Sequence, residues 1–412
     1  MASIIATLEA KTAAGERLSR EDGLALFESS DLLAVAAMAD RMRQARHGRR
    51  AYYCINTHVN YTNRCENECP LCAFWAEADG PSDTATLSKP LRGGSPDPPR
   101  KTRDHAPAEE PCAAGTETRR AIPEEPARTQ SRSGPKGYLL TPEEVLARAQ
   151  PDIEAGATEV HIVGGLAPEV SLDYCVRMVA RMHEAYPAVC IQAFTAVEIA
   201  SLAKKAGLTP REVLARLKAA GLTGLPGGGA EIFDPAVRDR ICPKKISGRQ
   251  WLAVHREAHR LGLTTNATML YGHVETPAHR VDHMLALRGL QDETGGLAAF
   301  IPLPFHPHGT KFPDLPGTTA CDDLRTIAVS RLLLDNVPHI KAFWIMLTPD
   351  LAQVALRFGA DDLDGTVVRE EITHAAGAST PQGLTAADLE HLIRAAGCEP
   401  VERDTLYRPV VR

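Results

Sequence analysis

Residues 158–194 read TEVHIVGGLAPEVSLDYCVRMVARMHEAYPAVCIQAF. The β-rich run TEVHIVGG (158–165) ends in two glycines, SLDYCVRMVARMHEAY (171–186) has helical spacing of its apolar residues, and AVCIQAF (188–194) turns β-like again. A strand, a helix and a strand in that order specify a right-handed βαβ unit and a parallel sheet. The alternation continues on both sides. Thr141-Pro142-Glu143-Glu144 and Thr209-Pro210-Arg211-Glu212 pair an N-cap threonine with a glutamate three residues later, and place proline at the first helical position. Strands are expected in GLTGLPGGGAEIF (221–233), LTTNATMLYG (263–272), LAAFIPLPF (297–305) and HIKAFWIML (339–347). Helices are expected from Ser247, from Thr276 to about Thr294, around 321–335, after Thr348-Pro349 and from Thr385. About seven or eight repeats of this kind predict an α/β fold closed as a (β/α) barrel of the TIM type, whose function lies at the C-terminal ends of the strands.

The flanks differ from this core. Residues 1–50 form an N-terminal helical segment, with a stripe of Leu24, Leu26, Phe27, Leu32, Leu33, Val35 and Met38. Arg41, Arg43, Arg46, Arg49 and Arg50 follow, and read as a solvated helix end favoured by its dipole or as an anion patch. YYCINTHVNYTN (52–63) is the first strand, so the barrel core spans 51–78 and 137–347, and 348–412 is a C-terminal extension that completes it. Between them, 79–136 holds recurrent prolines, charges of both signs and few large apolar residues. Such a segment cannot bury enough surface to offset its ordering entropy, so it reads as a disordered insertion in which Cys112 is a bystander.

Composition sets the outer limits. The 412 residues carry 46 Lys and Arg against 52 Asp and Glu, a net charge of −6. That balance argues against coating a nucleic acid or a membrane surface. No apolar run is long enough to span a bilayer, and MASIIATLEAK lacks the basic start of a secretory signal, so the expected compartment is the cytoplasm. Most of the ten cysteines should therefore be reduced and buried singly.

Cys65, Cys69 and Cys72 stand apart as C-x3-C-x2-C within Asn63-Arg64-Cys65-Glu66-Asn67-Glu68-Cys69-Pro70-Leu71-Cys72-Ala73-Phe74. Three thiolates in eight residues can wrap one face of a compact metal cluster. A structural zinc site needs four ligands, commonly as two spaced pairs, and a four-cysteine electron-transfer cluster needs a fourth thiolate. No fourth cysteine lies close in sequence. A [4Fe-4S] cluster on three thiolates leaves one iron open for another ligand.

At these residues the sequence resembles the radical S-adenosylmethionine (SAM) superfamily. The resemblance implies a [4Fe-4S] cluster on Cys65, Cys69 and Cys72, with SAM chelating the open iron and yielding methionine and a 5′-deoxyadenosyl radical. It implies that Phe74 flanks the adenine and that Gly164 and Gly165 meet the SAM amino group through their carbonyls. The segment Met269 to Thr276, with Tyr271 and Gly272, is similar to a later strand motif bordering adenine. Glu198 and Glu231 are candidates for hydroxyls of SAM or substrate. More narrowly, HVNYTNRC, VHIVGGLAPE, LPGGGAEIF, TNATMLYGHVET, HRVDHM, LQDETGG, FIPLPFHP and DDLDGTV resemble the aminofutalosine synthases of the futalosine route to menaquinone.

That resemblance implies addition of the radical to 3-[(1-carboxyvinyl)oxy]benzoate, rearrangement, and loss of a carboxylate as bicarbonate to give 6-amino-6-deoxyfutalosine. It also implies an electron donor such as flavodoxin or ferredoxin. The alternatives are the sister dehypoxanthine futalosine cyclase and a non-enzymatic iron–sulfur carrier. A buried dicarboxylate needs cations or oriented donors, and Arg64, His273, Arg280, His306 and His308 near strand ends are the candidates. His273, Arg280 and His306 are the expected catalytic set.

Overall fold

A computed structural model describes residues 4–77 and 136–412. The expected insertion at 79–136, with Cys112, lies outside the described residues except for Lys136. Three helices open the chain: α1 (Ile4–Ala13), α2 (Arg20–Glu28) and α3 (Leu32–His47). β1 (Arg50–Cys54) and β2 (Asn56–Asn60) follow, then α4 (Pro142–Glu154), β3 (Glu159–Val163), α5 (Leu172–Ala185), β4 (Cys190–Ala193), α6 (Ala196–Ala206) and α7 (Pro210–Ala219). The middle holds β5 (Gly224–Leu225), α8 (Pro235–Ile241), α9 (Gly248–Arg260), β6 (Thr264–Tyr271), α10 (Pro277–Thr294), β7 (Leu297–Pro304), α11 (Ala320–Leu333) and β8 (His339–Ile340). The end comprises α12 (Trp344–Leu347), α13 (Pro349–Ala355), β9 (Asp362–Gly365), α14 (Ile372–Ala375), α15 (Ala386–Ala395) and β10 (Glu399–Glu402).

β2 through β8 form a seven-stranded parallel sheet in sequence order, the curled partial barrel that the βαβ repeat specifies. The helix starts follow from local chemistry. Thr141, Thr209, Ser247 and Thr385 each close a capping box with the residue three positions on. Thr195 does the same with Glu198 at the mouth of β4.

The expected first strand is two strands. The chain turns at Ile55, so β2 joins the barrel while β1 pairs in parallel with β10 and β9 in a separate three-stranded sheet. The stretch 361–368 runs between β8 and β1–β2. Ala342 N–H donates to the Asp362 carbonyl (2.8 Å), Tyr52 N–H to Asp361 (2.7 Å) and His58 N–H to Val368 (3.0 Å).

This seam carries buried charge. Arg331 and Asp361 are both fully buried and paired, and Asp361 also accepts from His339 Nδ1 (2.5 Å) and Ile340 N–H (2.9 Å). Arg403 binds Asp362 with Nε at 2.7 Å, and Lys341 binds Asp364 at 2.7 Å. Burial works against these carboxylates, yet the cations opposite hold Asp361 and Asp364 ionised, with Asp364 down at about 2. The basic end of α3 is neither a solvated end nor an anion patch throughout. Arg43 is buried against Asp40 (2.9 Å), and Arg46 donates to the carbonyls of Val337 and Asp335.

Removing one member of a buried pair leaves the other charge uncompensated, at roughly 3–5 kcal/mol. Asp361→Asn should lower the urea midpoint accordingly. Asp292→Asn, which breaks the half-exposed pair with Arg17 (2.7 Å), should change stability by less than about 1 kcal/mol.

Candidate functional site

Pleating decides what faces the barrel interior, because successive side chains point to opposite faces of a strand. His58 and Asn60 on β2, His161 and Val163 on β3, Thr268 and Leu270 on β6, and Ile301 and Leu303 on β7 all line one cavity of about 340 Å³. Cys65, Cys69, Cys72 and Phe74 line its mouth, together with Gly164, Gly165, Glu198 and His306. The wall is mostly apolar where Ile301, Leu303, Phe305, Phe343 and Met346 meet.

The cysteine loop is held by its backbone. Cys65 N–H donates to Ala76 (3.2 Å), Ala76 N–H to Asn63 (2.8 Å) and Glu66 N–H to Leu166 (3.0 Å). At the far end Leu71 N–H reaches Ile241 (3.4 Å), Lys311 N–H reaches Pro70 (2.9 Å), and Lys244 Nζ reaches the Glu66 carbonyl and the Glu68 carboxylate. The glycine pair has a reason that the sequence did not supply. A Cβ at Gly165 would lie 2.2 Å from the Arg64 carbonyl oxygen, and one at Gly164 would lie 2.8 Å from the Tyr61 ring. The missing side chains therefore let the protein's own cysteine loop seat on the end of β3.

All three thiols are free. Burial pushes the Cys69 thiol up to about 12, against the pull of Lys245, and it also raises Cys72. A metal would have to displace those protons, since the thiolate is the ligand form. Among the described residues, one set of three ligand atoms lies within 4.8 Å of each other, namely those of His47, His339 and Asp361. There the Arg331 guanidinium already fills the cation position on Asp361. The cysteine sulfurs are more widely spread, unlike a closed single-ion site but compatible with a multi-iron cluster that takes each thiolate on a different corner.

Lys245 was not anticipated. Its ammonium meets Glu231 Oε1 at 2.5 Å, and both residues line the cavity beside the cysteines. Burial opposes both charges, but each holds the other ionised, Glu231 below and Lys245 above its ordinary range. Glu198 lines the cavity with its carboxylate fully engaged. It accepts from Tyr61 Oη (2.8 Å), Gly164 N–H (3.1 Å), Thr195 N–H (2.7 Å) and Thr195 Oγ1 (2.8 Å). Burial raises its pKa against those bonds. It thus fixes the glycine turn.

Four expected residues do not line the cavity: Tyr271, Gly272, His273 and Arg280. Tyr271 has the outward parity of β6 and donates to Asp323 (2.8 Å). Gly272 N–H donates to Glu275 (2.7 Å), and His273 Nε2 meets the Leu270 carbonyl at 3.0 Å. Arg280 is buried between Glu275 (2.8 Å) and Asp322 (2.7 Å). These groups brace the β6–α10 turn from outside the barrel. His306 does face the cavity, with Nε2 on the Met346 carbonyl at 3.0 Å, while Arg64 binds Glu169. His279 and His283, four residues apart on α10, make separate bonds. His279 accepts from Thr276 N–H, and His283 bonds the Thr268 carbonyl and stacks on Phe233.

Such a parallel partial barrel with a cysteine loop and glycine turn at its mouth defines a class. Residues 59–287 match the radical SAM superfamily and 294–411 the CofH/MqnC C-terminal region. The chain belongs to the radical SAM superfamily and is an enzyme of that class, which implies a [4Fe-4S] cluster and SAM. It is 42% identical over 405 residues to the aminodeoxyfutalosine synthase of Thermus thermophilus, covering 97% of this chain and 94% of that protein. It is 33% identical over 401 residues to 5-amino-6-(D-ribitylamino)uracil–L-tyrosine 4-hydroxyphenyl transferase 2 of Methanosarcina mazei, covering 96% and 89%. In fold it matches methylornithine synthase with a TM-score of 0.65 at 16% identity, over 95% and 97% of the chains. No helix among the described residues is long and apolar enough to cross a membrane.

Gly165→Ala should force the cysteine loop off β3. The expected result is loss of most iron uptake in anaerobic reconstitution, with far-ultraviolet circular dichroism unchanged. A second test concerns the bracing network. Burial raises the Asp323 carboxyl from 3.8 to about 6. Its proton is held more tightly in the fold, so its contribution is full below about pH 4 and disappears as pH rises through 6. Asp323→Asn should flatten the decline of unfolding free energy across that window by roughly 2–3 kcal/mol, read from denaturant midpoints at stepped pH.

Proposed function

We propose that this chain is an aminodeoxyfutalosine synthase of menaquinone biosynthesis, acting in the cytoplasm. It would convert SAM, 3-[(1-carboxyvinyl)oxy]benzoate and water to 6-amino-6-deoxyfutalosine, methionine and bicarbonate. The observation that carries the reading is one cavity with three free thiols at its mouth and an apolar wall suited to an aromatic ring. The near-full-length likeness to a synthase, at higher identity than to the archaeal transferase, supports this reaction.

Cys65, Cys69 and Cys72 would hold the cluster, and their free thiols, Cys69 buried and the other two half-buried, fit it. When bound, that group would supply the electron that opens the sulfonium of SAM, after first being reduced by a donor such as flavodoxin or ferredoxin. Gly164 and Gly165 offer carbonyls for the SAM amino group, and Phe74 offers a ring for the adenine. Glu198 keeps the Gly164 turn rigid. Leu270, Ile301, Leu303, Phe305 and Phe343 exclude water, which protects a carbon radical from quenching. His306, aligned by the Met346 carbonyl, is the imidazole we assign to the substrate. Tyr271, Gly272, His273 and Arg280 support the turn behind the site.

The test is anaerobic turnover of reconstituted protein with SAM, reductant and the enol ether, followed by mass analysis of the nucleoside. Stoichiometric 6-amino-6-deoxyfutalosine is expected. Cys65→Ala, Cys69→Ala and Cys72→Ala should each abolish it and the bound iron. Inertness toward the enol ether would overturn the reading. Turnover of dehypoxanthine futalosine would point to the cyclase, and consumption of tyrosine with ribitylaminouracil would point to the archaeal transferases.

A further inference from the structure

Two imidazoles at the bottom of the cavity take no part in the account above. His58 on β2 and His161 on β3 are register partners, so both side chains leave the sheet toward the interior. Their rings stack, with centroids 4.4 Å apart and planes 18° apart, and both line the cavity. His58 is only 9% exposed, and its Nε2 has no hydrogen-bond partner among the described residues. Buried polar atoms are seldom left so, and one that borders a cavity marks a place where a ligand atom completes the bonding.

The surroundings define that ligand. Gln192 on β4 extends the layer in register with His161, and Asn266 Nδ2 reaches Gln192 Oε1 at 3.4 Å across Gly224, which has no side chain. On the other side Asp364 lines the cavity and is bound by Lys341 (2.7 Å), so that carboxylate is already matched. Burial keeps the two imidazoles neutral, against the pull of Asp364 on both rings and of Glu159 and Glu370 on His161. Of these groups the two neutral imidazoles border the cavity. The thiols lie at the opposite end, so an alkene attacked by a radical from SAM must sit near the mouth. The attached ring then lies along Ile301, Leu303 and Phe343, and its far substituent points to the floor.

We propose that the His58–His161 pair is the subsite for the ring carboxylate of an aryl carboxylic acid, with His58 Nε2 as donor. The inference rests on the synthase reading and sharpens it by assigning one end of the substrate to one end of the cavity.

The experiment is a binding cycle on anaerobic, cluster-loaded protein with SAM and no reductant. The two probes are the enol ether and 2-phenoxyacrylate, the same enol ether without its ring carboxylate. His58→Phe keeps the stack and removes the donor. It should weaken the enol ether at least tenfold, change 2-phenoxyacrylate less than twofold, and leave SAM affinity unaltered. His58→Gln, which retains an N–H, should recover most of the loss. If the Phe variant takes up no iron, His58→Ala is run through the same cycle with the same expected selectivity. Equal loss for both acids, no loss for either, or weaker SAM binding would overturn the subsite while sparing the synthase reading. Wild-type protein that fails to bind the enol ether would overturn both.

Discussion

The site depends on one close approach, the seating of the cysteine loop on the end of β3. The Arg64 carbonyl occupies the space that any side chain at position 165 would need. Gly165 N–H in turn donates to Thr62 (2.9 Å), so strand end and loop are joined in both directions. Backbone atoms make this joint, and with it three thiols are brought to one cavity. The alternative, a floppy loop ordered only by its ligand, would charge the ordering entropy of a dozen residues to the binding step. The loop's other end is fastened to segments that follow β5 and β7, through Ile241, Lys244 and Lys311, so its position reports on the closure of the whole barrel.

Closure has its own electrostatic logic. Asp361, Asp362 and Asp364 are buried, and each faces a buried cation drawn from a different part of the chain: Arg331 of α11, Arg403 after β10, and Lys341 after β8. Such pairs add little net stability over apolar packing, but a wrong pairing strands a buried charge. The seam thus fixes which strands meet where the seven-stranded sheet ends. Positive φ at Asp364 (70°) lets the chain turn there.

Much of this was legible. The period-2 and period-3.6 runs gave the βαβ order, and the Ser/Thr boxes located helix starts because an N-cap bond is local and needs no tertiary knowledge. The cysteine triplet was legible because its spacing is chemical. The turn at Ile55 was not, since the partners that divide β1 from β2 lie some 300 residues away. Tyr271 and Arg280 lie at or just beyond the end of a strand without facing its inner side. Parity would have separated them, because Leu270 faces the cavity and its neighbour Tyr271 cannot. The same alternation places His58 and His161 on the inner face, in mid-strand rather than at strand ends. Lys245 sits in a loop after a short helix, and no pattern in the sequence links it to Glu231.

The distribution of charge then constrains how a dianionic substrate is held. Lys245 is the cation that lines the cavity among the described residues, and it is bound to Glu231 at 2.5 Å. Arg280 is saturated by two carboxylates behind the wall. A substrate carboxylate that displaced either acid would leave that acid buried and unpaired, at a cost comparable to what the new pair gains. Neutral donors escape this exchange, since they have no counter-ion to lose. A cavity whose ammonium groups are already matched, and whose unpartnered buried nitrogen is an imidazole, is therefore built to take an anion by hydrogen bonds.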